Sequence, residues 1–205
     1  IVEAVGTRAQ GMGGAFVAVA NDSSATWWNP AGLADGPFID VSVARSVTDV
    51  AESTLVPRSQ ASWLTLGTPP FGFGYYRFRI TDIQPPSPTE REAGNRQDVG
   101  DGLPVRTVEA SQVGVTLLHS VASGVHVGAT LKYVSGSADD GRTTDDVDLD
   151  LGVLAVVGPI RLGGTARNLR EPEFGAGEFL RPRQVRVGAA FDVERIGGPP
   201  LLIAV

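Results

Sequence analysis

The chain contains no cysteine. That excludes a disulfide scaffold, thiolate metal sites and a cysteine nucleophile. Lysine is almost missing as well: Lys132 stands alone beside sixteen arginines. The two histidines, His119 and His126, lie in strand-like runs with no nucleophile or metal-ligand spacing around them. No catalytic constellation forms, so the chain is not expected to be an enzyme or to carry a cofactor or metal. A basic stripe is also lacking. With 23 acidic against 17 basic residues and a net charge of −6, nucleic acid is excluded as a partner. Uninterrupted apolar runs such as Leu151 to Ile160 fall far short of the ~18 residues of a spanning helix. A membrane location would therefore require a closed barrel. The first residue is Ile1, without a charged or long apolar leader, and the last, Val205, falls inside a strand-like run. The sequence reads as cut at both ends.

What the chain has is glycine, 26 of 205 residues, scattered through runs that alternate with period two. Val125, Val127, Ala129, Leu131 and Tyr133 share one face, opposite His126, Gly128, Thr130 and Lys132. Val147, Leu149, Leu151, Val153, Ala155 and Val157 repeat the pattern against Asp148, Asp150 and Gly152. Segments 160–168 and 184–194 do the same. With 38–46, 59–67, 71–81, 109–120 and an unfinished run after Pro200, about nine strands are expected, in an all-β antiparallel fold. Two architectures fit: a soluble sandwich that buries the apolar face, or a transmembrane barrel that turns it to lipid. Runs of nine to eleven residues suit a tilted bilayer crossing. Loop lengths point the same way. Tight turns at 68–70, 121–124, 158–159 and 197–200 alternate with long polar connections at 82–108, 136–146 and 169–183, the asymmetry of outer-membrane barrels.

The N-terminal 36 residues differ from the rest. They hold the glycines Gly11, Gly13 and Gly14, an apolar run from Ala15 to Ala20, and a polar break, Asn21-Asp22-Ser23-Ser24. Trp27 and Trp28 follow, then an Asn29-Pro30-Ala31-Gly32-Leu33 turn. Arg8-Ala-Gln-Gly-Met-Gly-Gly-Ala-Phe16, with Asn-Pro-Ala-Gly thirteen residues later, resembles the N-terminal hatch of outer-membrane barrels of the FadL type and the related PorV/PorQ group. The resemblance implies a hatch at 1–36 and a truncated barrel at 37–205, in the outer membrane of a Gram-negative bacterium. It further implies passive uptake of hydrophobic small molecules, fatty acids or hydrocarbons. The alternative within the group is a surface anchor or shuttle for secreted proteins, with secretion-machinery partners and no transport.

Within the hatch, Asn21 to Ser24 suits a helix cap and Asn29-Pro30 a helix stop. Asp22, Asn29, Pro30, Gly32 and the three clustered glycines are expected to be structural, the glycines allowing close approach to a barrel wall. A nucleotide loop is excluded: Phe16 occupies the place of the third glycine. Met12, Phe16, Trp27 and Trp28 are the candidate ligand-binding residues, with packing of the two tryptophans as the competing reading. The aromatic run Phe71, Phe73, Tyr75, Tyr76, Phe78 changes face at Tyr75-Tyr76, which suggests a β-bulge. Strand kinks of that kind open side exits in the family. His126, Lys132, Asp148, Asp150, Arg161, Arg167, Arg186 and Asp192 would line a hydrated lumen of mixed sign. Asp139, Asp140, Asp145, Asp146 and Asp148 lack the spacing and the closing glutamate of a calcium loop and read as solvated surface.

Overall fold

The computed structural model describes residues 5–49, 58–83, 105–137, 143–174 and 179–205. Two short helices, α1 (Thr7–Gly11) and α2 (Ala25–Trp28), and a 3-10 turn (Pro30–Asp35) precede the strands. These are β1 (Asp40–Asp49), β2 (Arg58–Thr68), β3 (Phe71–Ile83), β4 (Val105–Ala122), β5 (Val125–Ser137), β6 (Thr143–Val157), β7 (Ile160–Arg167), a small hairpin β8 (Glu173–Phe174) and β9 (Phe179–Leu180), then β10 (Gln184–Asp192) and β11 (Leu202–Ala204). All but the small hairpin form a single nine-stranded antiparallel meander in the order β1-β2-β3-β4-β5-β6-β7-β10-β11. β1 and β11 are its edges. The number of strands and their sequential pairing match the expectation from alternation.

Length is the first departure from a globular sheet. β3 and β5 run 13 residues, β6 15 and β4 18, against ~5–6 in ordinary domains. The tight connections at Pro69-Pro70, Ser123-Gly124 and Gly158-Pro159 fall at one end of the meander. The longer ones fall at the other, where segments 50–57, 84–104 and 138–142 lie outside the described residues. Asp139 and Asp140, read as solvated surface, lie outside them too, whereas Asp148, read with them, is buried rather than solvated.

Polarity is the second departure. One sheet face carries Thr116, Thr130, Lys132, Asp148, Asp150, Arg161, Thr165 and Arg167, all buried. The opposite face carries Val43, Val115, Leu131, Val153, Leu162 and Val187, all exposed, Val187 by 82%. No second sheet covers that apolar face among the described residues, as a soluble sandwich would require. The polar face is the covered one, and what covers it is the N-terminal segment. Val5, Ala9, Phe16, Ala18 to Ala20, Trp27, Trp28 and Leu33 form one core with Trp63, Tyr76, Phe78 and Ala190 of the wall.

Glycine makes this contact close. Cross-strand pairs Gly67–Gly72, Gly74–Gly114, Gly128–Gly152 and Gly163–Gly188 open the covered face. A Cβ on Gly128 would lie 2.5 Å from the Pro30 carbonyl carbon and 2.6 Å from the Ala31 nitrogen. On Gly163 it would lie 2.5 Å from the Val17 carbonyl oxygen. The N-terminal glycines do not share this role. A Cβ on Gly11 or Gly13 would meet nothing within 4 Å. Gly13 and Gly14 adopt positive φ and shape a turn instead. On the hatch side the close approach belongs to Gly32, against the Ala20 carbonyl.

The kink expected at Tyr75-Tyr76 is absent. β3 keeps continuous register with β2 and with β4 through both residues. The aromatics change face because Gly72 and Gly74 leave the covered side empty. A Cβ on Gly74 would lie 2.7 Å from the Tyr76 ring, which lies over that glycine. The one register shift on β4 lies between Ser120 and Ala122, beside a tight turn.

Gly128→Val should expel the hatch from the wall, an overpacking cost of at least about 1–3 kcal/mol. Limited chymotrypsin digestion should then cleave after Trp27 or Trp28, both buried in the docked segment. Gly164→Val, on the bare face, should leave both tryptophans protected.

Candidate functional site

The site suggested by the sequence is the seam between hatch and wall. Asn29 is its centre. Extended backbone (φ −157°, ψ 103°) before Pro30 ends α2, as a pre-proline residue must. Its side-chain Nδ2 donates to the Val17 carbonyl at 2.9 Å and to the Val153 carbonyl of β6 at 3.0 Å. Its Oδ1 accepts from the Ala31 amide at 3.2 Å. One buried amide thus joins two hatch segments and the sheet. Pro30 takes the first position of the 3-10 turn, and Gly32 lies buried within it.

Other pins surround it. Arg161 donates from Nε to the Ala18 carbonyl at 3.0 Å and pairs through Nη1 with Asp35. Ser23 and Thr65 share a hydroxyl hydrogen bond of 2.8 Å, and Thr26 and Tyr76 another of 2.7 Å. The Ser23 amide donates to Asp40 at 2.6 Å. Asp22 braces the turn before α2, its Oδ1 accepting from the Ser24 amide at 3.0 Å and from the Ser24 hydroxyl. Ser24 is the N-cap, and its side chain caps nothing. The polar tetrad therefore acts through Asp22 and Ser23 rather than as a simple helix cap.

The four candidate ligand residues are brought together, and they are packed. Phe16 and Trp28 meet edge to face at 6.0 Å between centroids. Trp28 Nε1 donates to the Val5 carbonyl at 2.8 Å. Trp27 lies 4.7 Å from the Tyr76 ring and 5.3 Å from Phe78. The Arg167 guanidinium caps its face at 4.1 Å, a cation–π contact strengthened by desolvation. Met12 packs, partly buried, against the same cluster. Trp27 Nε1 is buried with no hydrogen-bond partner among the described residues.

Of the charges expected to line a hydrated lumen, Lys132, Asp148, Asp150 and Arg167 form a buried network instead, while Arg186 lies over the Trp28 ring at 5.4 Å and Asp192 pairs with Arg195 at 3.3 Å. Lys132 Nζ lies 2.7 Å from Asp148 Oδ2 and 2.6 Å from Asp150 Oδ1, and donates to Asn168 Oδ1 at 3.1 Å. The Asn168 amide donates to Asp150 at 2.9 Å and the Arg170 amide to Asp148 at 3.1 Å. Arg167 Nε stands 3.5 Å from Asp150. Lys132, Asp148, Asp150 and Arg167 are at most 2% exposed. Two cations against two carboxylates close the charge. Burial of this kind is tolerated only when each member is paired. His126, at the tight-turn end, shares a hydrogen bond with Ser120 at 2.9 Å. Sequence reading placed these residues on one face but missed their pairing, and missed Asp35, Thr65 and Asn168 altogether. Across the β5–β6 hairpin, Lys132 stands directly opposite Asp148. That register was the available signal.

No group of three metal-ligating side chains is gathered among the described residues, and no helix is long and apolar enough to cross a membrane. In comparisons with known proteins, no family model, no curated protein and no solved structure matches this chain.

Removing the lysine should expose how tightly the network is balanced. Lys132→Met leaves the buried Asp148 and Asp150 side by side on β6 with only Arg167 as a cation nearby, and should cost about 3–5 kcal/mol. The check is the urea midpoint of the purified protein. Adding Asp148→Asn to Lys132→Met should recover part of the loss.

Proposed function

We propose that this chain is the wall and hatch of an outer-membrane β-barrel that lets hydrophobic small molecules pass. The observation that carries the membrane reading is the bare apolar face. Rows such as Val41–Leu66–Phe73–Val115–Leu131–Leu149, joined by strand pairing, cross six strands without a polar residue. Contiguous apolar surface on that scale marks a partner or a membrane. Strand length and the sorting of short and long connections support lipid as that partner. The reading requires that the edges at β1 and β11 be closed, since unpaired edges cannot be satisfied in hydrocarbon.

The transport reading rests on the likeness of residues 8–16 and 29–32 to the hatch of FadL-type barrels, an argument from analogy. Fatty acids or hydrocarbons are the ligand class it suggests. The aromatic cluster of Phe16, Trp27 and Trp28 is the apolar surface that such a molecule would meet. That surface is filled by the wall, so passage needs the hatch to shift. Neither a cofactor nor an energy source enters this scheme.

The same filled packing supports a second reading, a surface anchor of the PorV type whose hatch is permanent core and whose partners are secretion proteins. Small-molecule mass spectrometry of the protein, purified from membranes in mild detergent, separates the two. The transporter predicts a stoichiometric fatty acid or hydrocarbon, lost in Trp27→Ala/Trp28→Ala while heat-modifiable gel migration is kept. A folded protein with no retained ligand would favour the anchor. Recovery only in the aqueous fraction would contradict both.

A further inference from the structure

The bare face is apolar up to a sharp line, and just beyond that line arginines gather. The row Val43–Leu64–Tyr75–Val113 is apolar or aromatic. One step further from the tight turns comes Arg45–Ser62–Arg77–Ser111, and then Val47–Gln60–Arg79–Glu109. Arg45, Gln60, Ser62, Arg77 and Arg79 line a cavity of about 240 Å³ that opens on this face. Arg45 Nη2 donates to Gln60 at 2.9 Å. Arg77 Nε donates to Glu109 at 2.7 Å, and Arg79 grips the other oxygen of Glu109 with Nε at 3.1 Å and Nη2 at 2.7 Å. Within these two rows three guanidiniums face a single carboxylate, and both Arg77 and Arg79 keep side chains 49% exposed.

Such an excess of like charge repels itself unless an anion completes it. Glu109 orients two of the forks, and a guanidinium presents five donors, so each retains capacity for a second acceptor. Forked donors around a small polar hollow match phosphate oxygens better than a single carboxylate. The hollow's position adds the rest of the ligand. Directly below it run Val43, Leu64 and Tyr75, the start of the apolar rows, along which an acyl chain attached to the phosphate would lie.

We propose that Arg45, Arg77 and Arg79 bind the phosphate of an anionic lipid headgroup in the leaflet at the long-connection end of the barrel. The proposal rests on the membrane reading above. Glu109 holds Arg77 and Arg79 in place, Gln60 holds Arg45, and the Tyr75 row sets the depth of the lipid.

The test uses protein purified from membranes in mild detergent. Three probes are titrated: a bis-phosphorylated diglucosamine glycolipid (lipid A), its fully dephosphorylated form, and inorganic phosphate. Wild type should hold the phosphorylated lipid about tenfold or more tighter than the dephosphorylated one, a difference near 1.4 kcal/mol. Arg45→Gln/Arg79→Gln should bring the two lipids to near-equal binding, and millimolar inorganic phosphate should not displace the lipid. Equal binding of both lipids by a membrane-recovered wild type would overturn this site alone. Displacement by inorganic phosphate would make it a free-anion site and overturn the lipid assignment. Recovery of wild type in the aqueous fraction would remove the membrane reading first. Should the double variant lose heat-modifiable migration, the wild-type comparison of the two lipids decides.

Discussion

A polar sheet face that must be satisfied without bulk water is the constraint on which this structure depends. Nine strands put threonines, aspartates, arginines and the lone lysine on one side, and the N-terminal segment lies across them. That segment is mostly irregular, so its amides and carbonyls cannot satisfy one another in a ladder. Asn29 answers part of this need by donating to Val17 and to Val153 and accepting from Ala31. Arg161 answers another part at the Ala18 carbonyl. The glycine pairs of the wall let these bonds form by bringing backbone to backbone. Filling one of them with a side chain would separate donors from acceptors across the seam.

The charges follow the same logic. Lys132 between Asp148 and Asp150, with Arg167 behind, is a closed set on which the Asn168 and Arg170 amides converge. Buried ions of this kind seldom add net stability, but losing one partner is costly. Their value lies in alignment: Lys132 reaches from β5 to β6 and to the chain just after β7. Arg167, next to Asn168, also caps Trp27. The charged network and the aromatic core of the hatch therefore meet at one side chain. Displacing the N-terminal segment would disturb both the aromatic packing and the ion pairs.

Much of the architecture was legible in the sequence because period-two alternation is local. Thr130 and Lys132 against Leu131 and Tyr133 fix which side of β5 is polar, and the same count works on β6, β7 and β10. Tight turns announced by Gly and Pro gave the meander. The fate of each face was not legible. Alternation says that two faces differ, not which one is covered, and only the docked hatch decides that. Pairings such as Arg161 with Asp35, far apart along the chain, have no local signature. The aromatic run from Phe71 to Phe78 misled for a related reason: a bulge and an unbroken strand with aromatics on both faces look alike until Gly72 and Gly74 are seen to make room for Tyr76. The clustered glycines near Gly13 drew attention that belonged to the wall glycines, whose role needs cross-strand register to be visible.

Because the chain has no cysteine, single cysteines can be introduced and spin-labelled without background. The most direct test of the central claim labels Val115, Leu131 and Val187 on the bare face, in protein reconstituted into lipid vesicles. Collision with lipid-soluble oxygen and with a water-soluble nickel chelate is then compared at each site. The account predicts strong relaxation by oxygen and almost none by nickel at all three. Ready access of the nickel chelate to these positions would contradict it, and the apolar face would then belong to water or to a protein partner.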